Sequence, residues 1–195
     1  PETNPTLRVV IQNCKALNMP KDNIESAIKR ASAKDAKDLD ELVYEGYGPY
    51  GVAVLVETAT DNPTRTVANV RMYFARAEGA LGKTGSLDFI FDRKAVFTLG
   101  MEGLDLEEME LELIDFGLEE IFEEDGKAFI YTSFKDFGGM QQELERRKLN
   151  IISSELIRLP STTVELTPDQ EEEINTMVEK MEDDDDVLHV FTNMK

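Results

Sequence analysis

Apolar positions recur every three to four residues at the start of the chain and switch to tighter, strand-like runs from about residue 52. Leu7, Val10, Ile11, Cys14 and Leu17 share one face of a helix over 5–17, with Asn4 as its N-cap and Pro5 in its first position. Asn18-Met19-Pro20 breaks it, and Ile24, Ala27, Ile28 and Ala31 stripe a second helix ending near 31. Residues 33–42 are polar and read as a linker. In the stretch 44–60, Gly46, Gly48 and Gly51 punctuate a turn that feeds the apolar strand 52–56. Asn62 and Pro63 then start a helix over 63–78, with Val67, Val70, Phe74 and Ala77 inward, and Gly79 ends it.

A strand is expected over 86–99, with Leu87, Phe89 and Phe91 alternating against Ser86, Asp88 and Ile90. Leu106, Met109, Leu113 and Phe116 predict a helix over 104–116, and Asp125-Gly126 predicts a hairpin. A helix over 136–148 and a strand over 151–158 follow. Thr167-Pro168-Asp169-Gln170 has the form of a capping box and opens a helix carrying Ile174, Met177, Val178 and Met181. The aspartate run 183–186 ends it as a solvated connection, and 187–192 is the last strand. These elements predict an α+β fold. Residues 1–40 would form a helical N-terminal part. Residues 43–100 plus 161–195 would form one ferredoxin-like α/β-sandwich module, with a second module, 101–160, inserted into it. That arrangement requires the last strand to pair with the sheet begun at Val52.

Composition narrows the function classes. No apolar run approaches the roughly 20 residues that span a bilayer. The single Cys14 cannot form an internal disulfide and suits a reducing compartment, so a cytoplasmic location is expected. The formal net charge is −19. Residues 1–94 carry 13 basic and 13 acidic residues, and residues 95–195 carry 8 and 27, so the second half holds the whole excess. Bulk charge therefore repels a polyanion, and any phosphate contact is expected to be local and to lie in the first half or in a segment before Pro1.

The chemical motifs mostly dissolve on inspection. Gly46 to Gly51 spells G-x-G-x-x-G but precedes a strand, whereas the dinucleotide fingerprint follows a strand and opens a helix. Gly82-Lys83-Thr84 resembles the end of a phosphate loop, yet Ala77 stands where that motif needs glycine. With one His189 and one Cys14, zinc is not expected, nor is any other metal or cofactor, and the 183–186 run lacks the ligand spacing of a calcium loop. No catalytic constellation or small-molecule site emerges, so a non-enzymatic binding protein is expected. The candidate nucleic-acid contacts are Lys21, Lys29 and Arg30, then Arg65, Arg71 and Lys83, then Arg93 and Lys94. Tyr44, Tyr47 and Tyr50 could stack on bases or fill a module interface.

Ordered motifs connect the chain to a family. Asn18-Met19-Pro20-Lys21-Asp22-Asn23-Ile24-Glu25 followed by Ala27-Ile28-Lys29-Arg30 resembles a signature of the YebC family. Tyr44-Glu45-Gly46-Tyr47-Gly48-Pro49, the Thr60-Asp61-Asn62 turn with Arg65-Thr66-Val67, and Leu81-Gly82 with Gly85-Ser86 match its next blocks in order. Phe89, Phe91, Arg93-Lys94 and the closing Val190-Phe191-Thr192-Asn193 extend the similarity over essentially the whole chain. The resemblance implies a helical domain followed by two α+β domains, with no catalytic residues to carry over. It implies a regulator of transcription that binds DNA. Mitochondrial relatives activate translation of a cytochrome oxidase subunit, and bacterial members are linked to ribosomes stalled on proline-rich sequences. A ribosome-associated translation factor contacting ribosomal RNA is therefore a rival expectation, and an acidic module docking ribosomal proteins is another. Against the family pattern, a basic N-terminal segment has no counterpart before Pro1, Pro63 replaces a basic or polar residue, and Tyr50 replaces a glycine.

Overall fold

The computed structural model describes residues 4–33 and 38–195. Two helices open the chain, α1 (Pro5–Ala16) and α2 (Lys21–Ala31). The Asn4 side chain accepts from the Leu7 backbone N–H, as the N-cap reading requires. Strands β1 (Asp40–Tyr47) and β2 (Ala53–Thr60), helix α3 (Pro63–Arg76) and the short β3 (Ala80–Leu81) follow. Next come β4 (Phe91–Gly100), α4 (Leu106–Leu113), β5 (Leu118–Glu124), β6 (Lys127–Ser133), α5 (Phe137–Arg146) and β7 (Ile151–Pro160). Helix α6 (Pro168–Glu182) starts with a complete Thr167–Gln170 capping box and leads to β8 (Val187–Thr192).

The strands make two four-stranded sheets, ordered β3-β1-β2-β8 and β5-β6-β4-β7. The chain is α+β, and the last strand does pair antiparallel with β2. The helices α1 and α2 group with Arg93–Ile157, and the described residues from 38 to Asp92 group with Arg158–Lys195.

In the first sheet, 52–56 is buried residue after residue. Val52, Val54 and Val56 pack under α3 and α6 with Val70, Phe74, Ile174, Met177 and Met181. Ala53 and Leu55 face the other way, onto Leu87, Ile90 and Phe91. Such a strand is covered on both faces, so its apolar positions run without alternation. The neighbouring strand β1 was not expected: 40–47 contains Asp40, Glu41, Glu45 and Gly46, yet it pairs with β2 along its whole length. Gly46 is needed inside it because a Cβ there would lie 2.5 Å from the Ala80 carbonyl oxygen and 2.8 Å from the Phe74 ring. Part of the expected linker, 34–37, lies outside the described residues.

The expected strand over 86–99 is also corrected. Residues 84–90 form turns, and the strand starts at Phe91. It is hydrogen-bonded to β6, in the second sheet rather than beside β1 and β2. The reason is its own alternation: Ala95, Phe97 and Leu99 point into the core made by Met109, Leu113, Ile130, Met140 and Leu144. With β4 included, the second sheet has the β-α-β-β-α-β succession of a ferredoxin-like unit. Its edge strand β7 is covered by α1, where the Asn13 amide donates to the Ser154 carbonyl at 2.8 Å and accepts from the Ser154 N–H at 3.1 Å.

Candidate nucleic-acid interface

The basic residues singled out from sequence divide between the two groups of elements. Lys21, Lys29 and Arg30 lie on α2, grouped with Arg93 and Lys94, whereas Arg65, Arg71 and Lys83 belong to the other. On α2, Lys21 forms an exposed i,i+4 pair with Glu25 at 3.4 Å. Lys29 and Arg30 are exposed in its last turn, where a positive charge also complements the helix dipole. Among the described residues neither has an ion-pair partner.

Arg65, though about half exposed, is engaged by carboxylates of its own fold. Its guanidinium donates to Asp186 through Nε at 3.1 Å and Nη2 at 2.7 Å, and to Asp61 at 3.0 Å. Asp186 is buried, and it also accepts from the Thr66 hydroxyl at 2.8 Å. The Arg65 hydrogen bond holds the Asp186 carboxyl below the usual carboxylate range, against the opposing pull of burial. The neighbouring Asp184 accepts from Asn69 at 2.9 Å and from the Tyr73 hydroxyl at 3.0 Å. The 183–186 run is thus not simply a solvated connection: two of its carboxylates fasten α3 to the entry of β8. Thr66, which the apolar pattern passed over, is fully buried in this network, while Val67 is only half-buried.

Arg71 is exposed on α3. Six residues at about 100° each turn it roughly 240° away from Arg65, so the two do not share a face. Lys83 is exposed in a loop braced from below by Glu45. That buried carboxylate accepts from the Gly85 N–H at 2.8 Å and the Leu87 N–H at 2.6 Å. The same loop carries Phe89, which was expected to point inward and is instead 75% exposed. Its neighbours Leu87, Ile90 and Phe91 are the buried ones, a turn-like spacing that alternation counting misreads. Arg93 lies over the Phe134 ring at 3.6 Å, and Lys94 donates to Glu119 at 2.6 Å. Of the tyrosines, Tyr44 packs against the first core, while Tyr47 and Tyr50 remain exposed. His189 is exposed on β8 beside Phe191.

Among the described residues there is no group of three His, Cys, Asp or Glu side chains placed to hold a metal ion. No helix there is long and apolar enough to cross a membrane. Among the described residues, the candidate cations without an ion pair are Lys29 and Arg30 on α2, Arg71 on α3, and Lys83 in the loop that also carries the exposed Phe89.

Comparison with known proteins matches the chain in two parts. Residues 1–34 match the TACO1/YebC protein N-terminal domain, and residues 39–194 match the TACO1/YebC second and third domain. A protein of Cytophaga hutchinsonii named a probable transcriptional regulatory protein is 61% identical over 193 residues, covering 99% of this chain and 81% of that one. A protein of Parabacteroides distasonis with the same name is 53% identical over 196 residues, covering 100% of this chain and 81% of that one. Among solved structures, a conserved hypothetical protein of Aquifex aeolicus superimposes with a TM-score of 0.79 at 32% identity, over 100% of this chain and 81% of that one.

Proposed function

The chain belongs to the TACO1/YebC family, and from that premise we propose that it is a non-enzymatic regulator of gene expression that binds nucleic acid, with DNA as the target. The names its relatives carry support the regulatory role. The observation that carries the binding role is the pair Lys29 and Arg30, exposed on α2 and free of ion pairs among the described residues, in a chain of net charge −19. An overall negative field works against a polyanion, so binding depends on such uncommitted cations. Arg71 and Lys83 supply further contacts, while Lys21, paired with Glu25, and Arg93, stacked over Phe134, would contribute only by exchanging those partners. Arg65 and Lys94 take no part in this reading, because their charged groups already serve Asp186 and Glu119.

Fluorescence anisotropy of a labelled DNA duplex, titrated from about 50 to about 200 mM salt, tests this reading. Log affinity should fall linearly with log salt. The double substitution Lys29→Ala, Arg30→Ala should reduce the slope by about two, one per lost phosphate contact, with the melting temperature unchanged. An unaltered slope removes α2 from the interface. Sedimentation with ribosomes that survives DNase, together with no binding to the duplex, moves the target from DNA to the ribosome.

A further inference from the structure

Between the turn before β2, the end of α3 and one face of α6 lies a cleft of about 550 Å³. Its chemistry is set by Tyr50, Tyr73, Arg76, Glu78, Glu173 and Lys180 over a floor that includes Met177. Nothing in the nucleic-acid reading uses it. Its volume falls in the range of small-molecule sites, roughly 300–1,000 Å³.

Tyr50 is the feature that needs an explanation. Its φ is 62°, in the left-handed region where a bulky aromatic residue is an outlier. A glycine would make the same turn without strain, and the next residue, Gly51 with φ 75°, does so. The strained backbone instead holds a half-exposed ring at the mouth of the cleft, with its hydroxyl donating to Glu173 at 2.6 Å. Glu78, with φ 59°, is a second left-handed residue on the same wall. Glu78 follows the C-cap of α3, where a left-handed residue is ordinary, so it is the strained Tyr50 backbone at the mouth of a concave site that gives a reason to look for a ligand there.

The charges within the cleft are balanced in number and separated in space. Glu173 and Glu78 both act on the Tyr50 hydroxyl, whose pKa is raised first by its hydrogen bond to Glu173. Arg76 lies by the Tyr73 hydroxyl, which is turned away from the Tyr50 side to donate to Asp184 at 3.0 Å. Glu173 and Lys180 stand two turns apart on one face of α6, roughly 10 Å at about 1.5 Å per residue. Neither Arg76 nor Lys180 is in an ion pair among the described residues. An anionic nucleotide would meet Glu78 and Glu173, and a simple cation would meet Arg76 and Lys180. A molecule with an ammonium at one end and a carboxylate at the other satisfies both poles. A separation of about 10 Å corresponds to two to three extended residues at roughly 3.5 Å each. The tyrosine rings and Met177 supply contact for an apolar middle, and a ring beside two carboxylates is a good seat for an ammonium.

We propose that this cleft binds a short zwitterionic peptide of two or three residues, its free amino end between Tyr50, Glu78 and Glu173 and its carboxylate on Arg76 and Lys180. The probe is Ala-Phe-Ala with free termini, titrated into the isotope-labelled protein and followed by backbone amide shifts. Saturable shifts confined to residues 49–51, 76–78 and 173–180 are expected. The N-acetylated, C-amidated form of the same peptide should bind at least tenfold more weakly. Lys180→Ala should weaken the free peptide severalfold, and Tyr50→Gly at least tenfold without lowering the melting temperature, since glycine suits that backbone. The absence of saturable shifts, equal binding of the blocked peptide, or undiminished binding by Tyr50→Gly would each overturn the proposal. In the last case Tyr50 would merely tie the turn to α6.

Discussion

Asp186 shows how a single side chain in an acidic run can differ from its neighbours. It is buried, and its carboxylate is shared between the Arg65 guanidinium and the Thr66 hydroxyl. Removing it takes an acceptor from the buried Thr66 hydroxyl and the main partner from Arg65, whose half-exposed side chain water can still reach, so Asp186→Ala should destabilise the fold by about 1–2 kcal/mol. The pH dependence has a definite sign. The folded-state carboxyl is held below its ordinary value by Arg65, so its stabilising effect is fully present above the unfolded titration near pH 4. It is lost as the pH falls through the depressed folded value. Urea unfolding of the parent and of Asp186→Asn should therefore differ at pH 7 and converge on acidification. A gap that stays constant from pH 7 to pH 3 would mean that the carboxylate charge is not what the pocket recognises. None of this was legible in the sequence, because Arg65 and its partner are separated by 121 positions. Neighbour spacing carries no information about such a pair.

At the scale of elements, the helices were readable and two of the strand boundaries were not, for opposite reasons. Helices α1, α3 and α6 announce themselves through Asn4-Pro5, Asn62-Pro63 and Thr167-Pro168, since caps are local chemistry. Strand β1 hides because its inward positions are not uniformly apolar: Glu45 turns in to hold the loop at 85–87, and Gly46 leaves room for α3. The turn at 84–90 imitates a strand because Leu87, Phe89 and Phe91 alternate by accident, with Phe89 outside. The two kinds of glycine give a paired prediction. Gly46→Ala should cost about 1–3 kcal/mol, because the clash at 2.5 Å is with the Ala80 backbone oxygen and β3 must move. Gly139→Ala, within α5 and with open space at the Cβ, should stabilise by up to about 0.5–1 kcal/mol. Thermal melts of the two variants should therefore shift in opposite directions. A neutral Gly46→Ala would show that β1 and α3 are not in close contact there.

For the molecule as a whole, the distribution of charge sets what the fold can associate with. The candidate contacts come from a half with balanced charge, while the second half holds the entire net charge of −19. Local cations would make the contact, and the acids of the second half would set the field through which a polyanion must approach. These two roles separate experimentally. Glu110, Glu123 and Glu155 are exposed on α4, β5 and β7, and removing their charges touches no candidate contact. The triple substitution to glutamine should raise the association rate with a DNA duplex severalfold at about 0.01 M salt, where the screening length is roughly 30 Å. At about 0.15 M, where it is roughly 8 Å, the gain should largely vanish. Lys29→Ala with Arg30→Ala should weaken binding at both salt concentrations, because a direct phosphate contact is screened far less than a remote one. Stopped-flow association at the two concentrations distinguishes the cases. If the glutamine variant associates no faster at low salt, the approach is not governed by long-range charge.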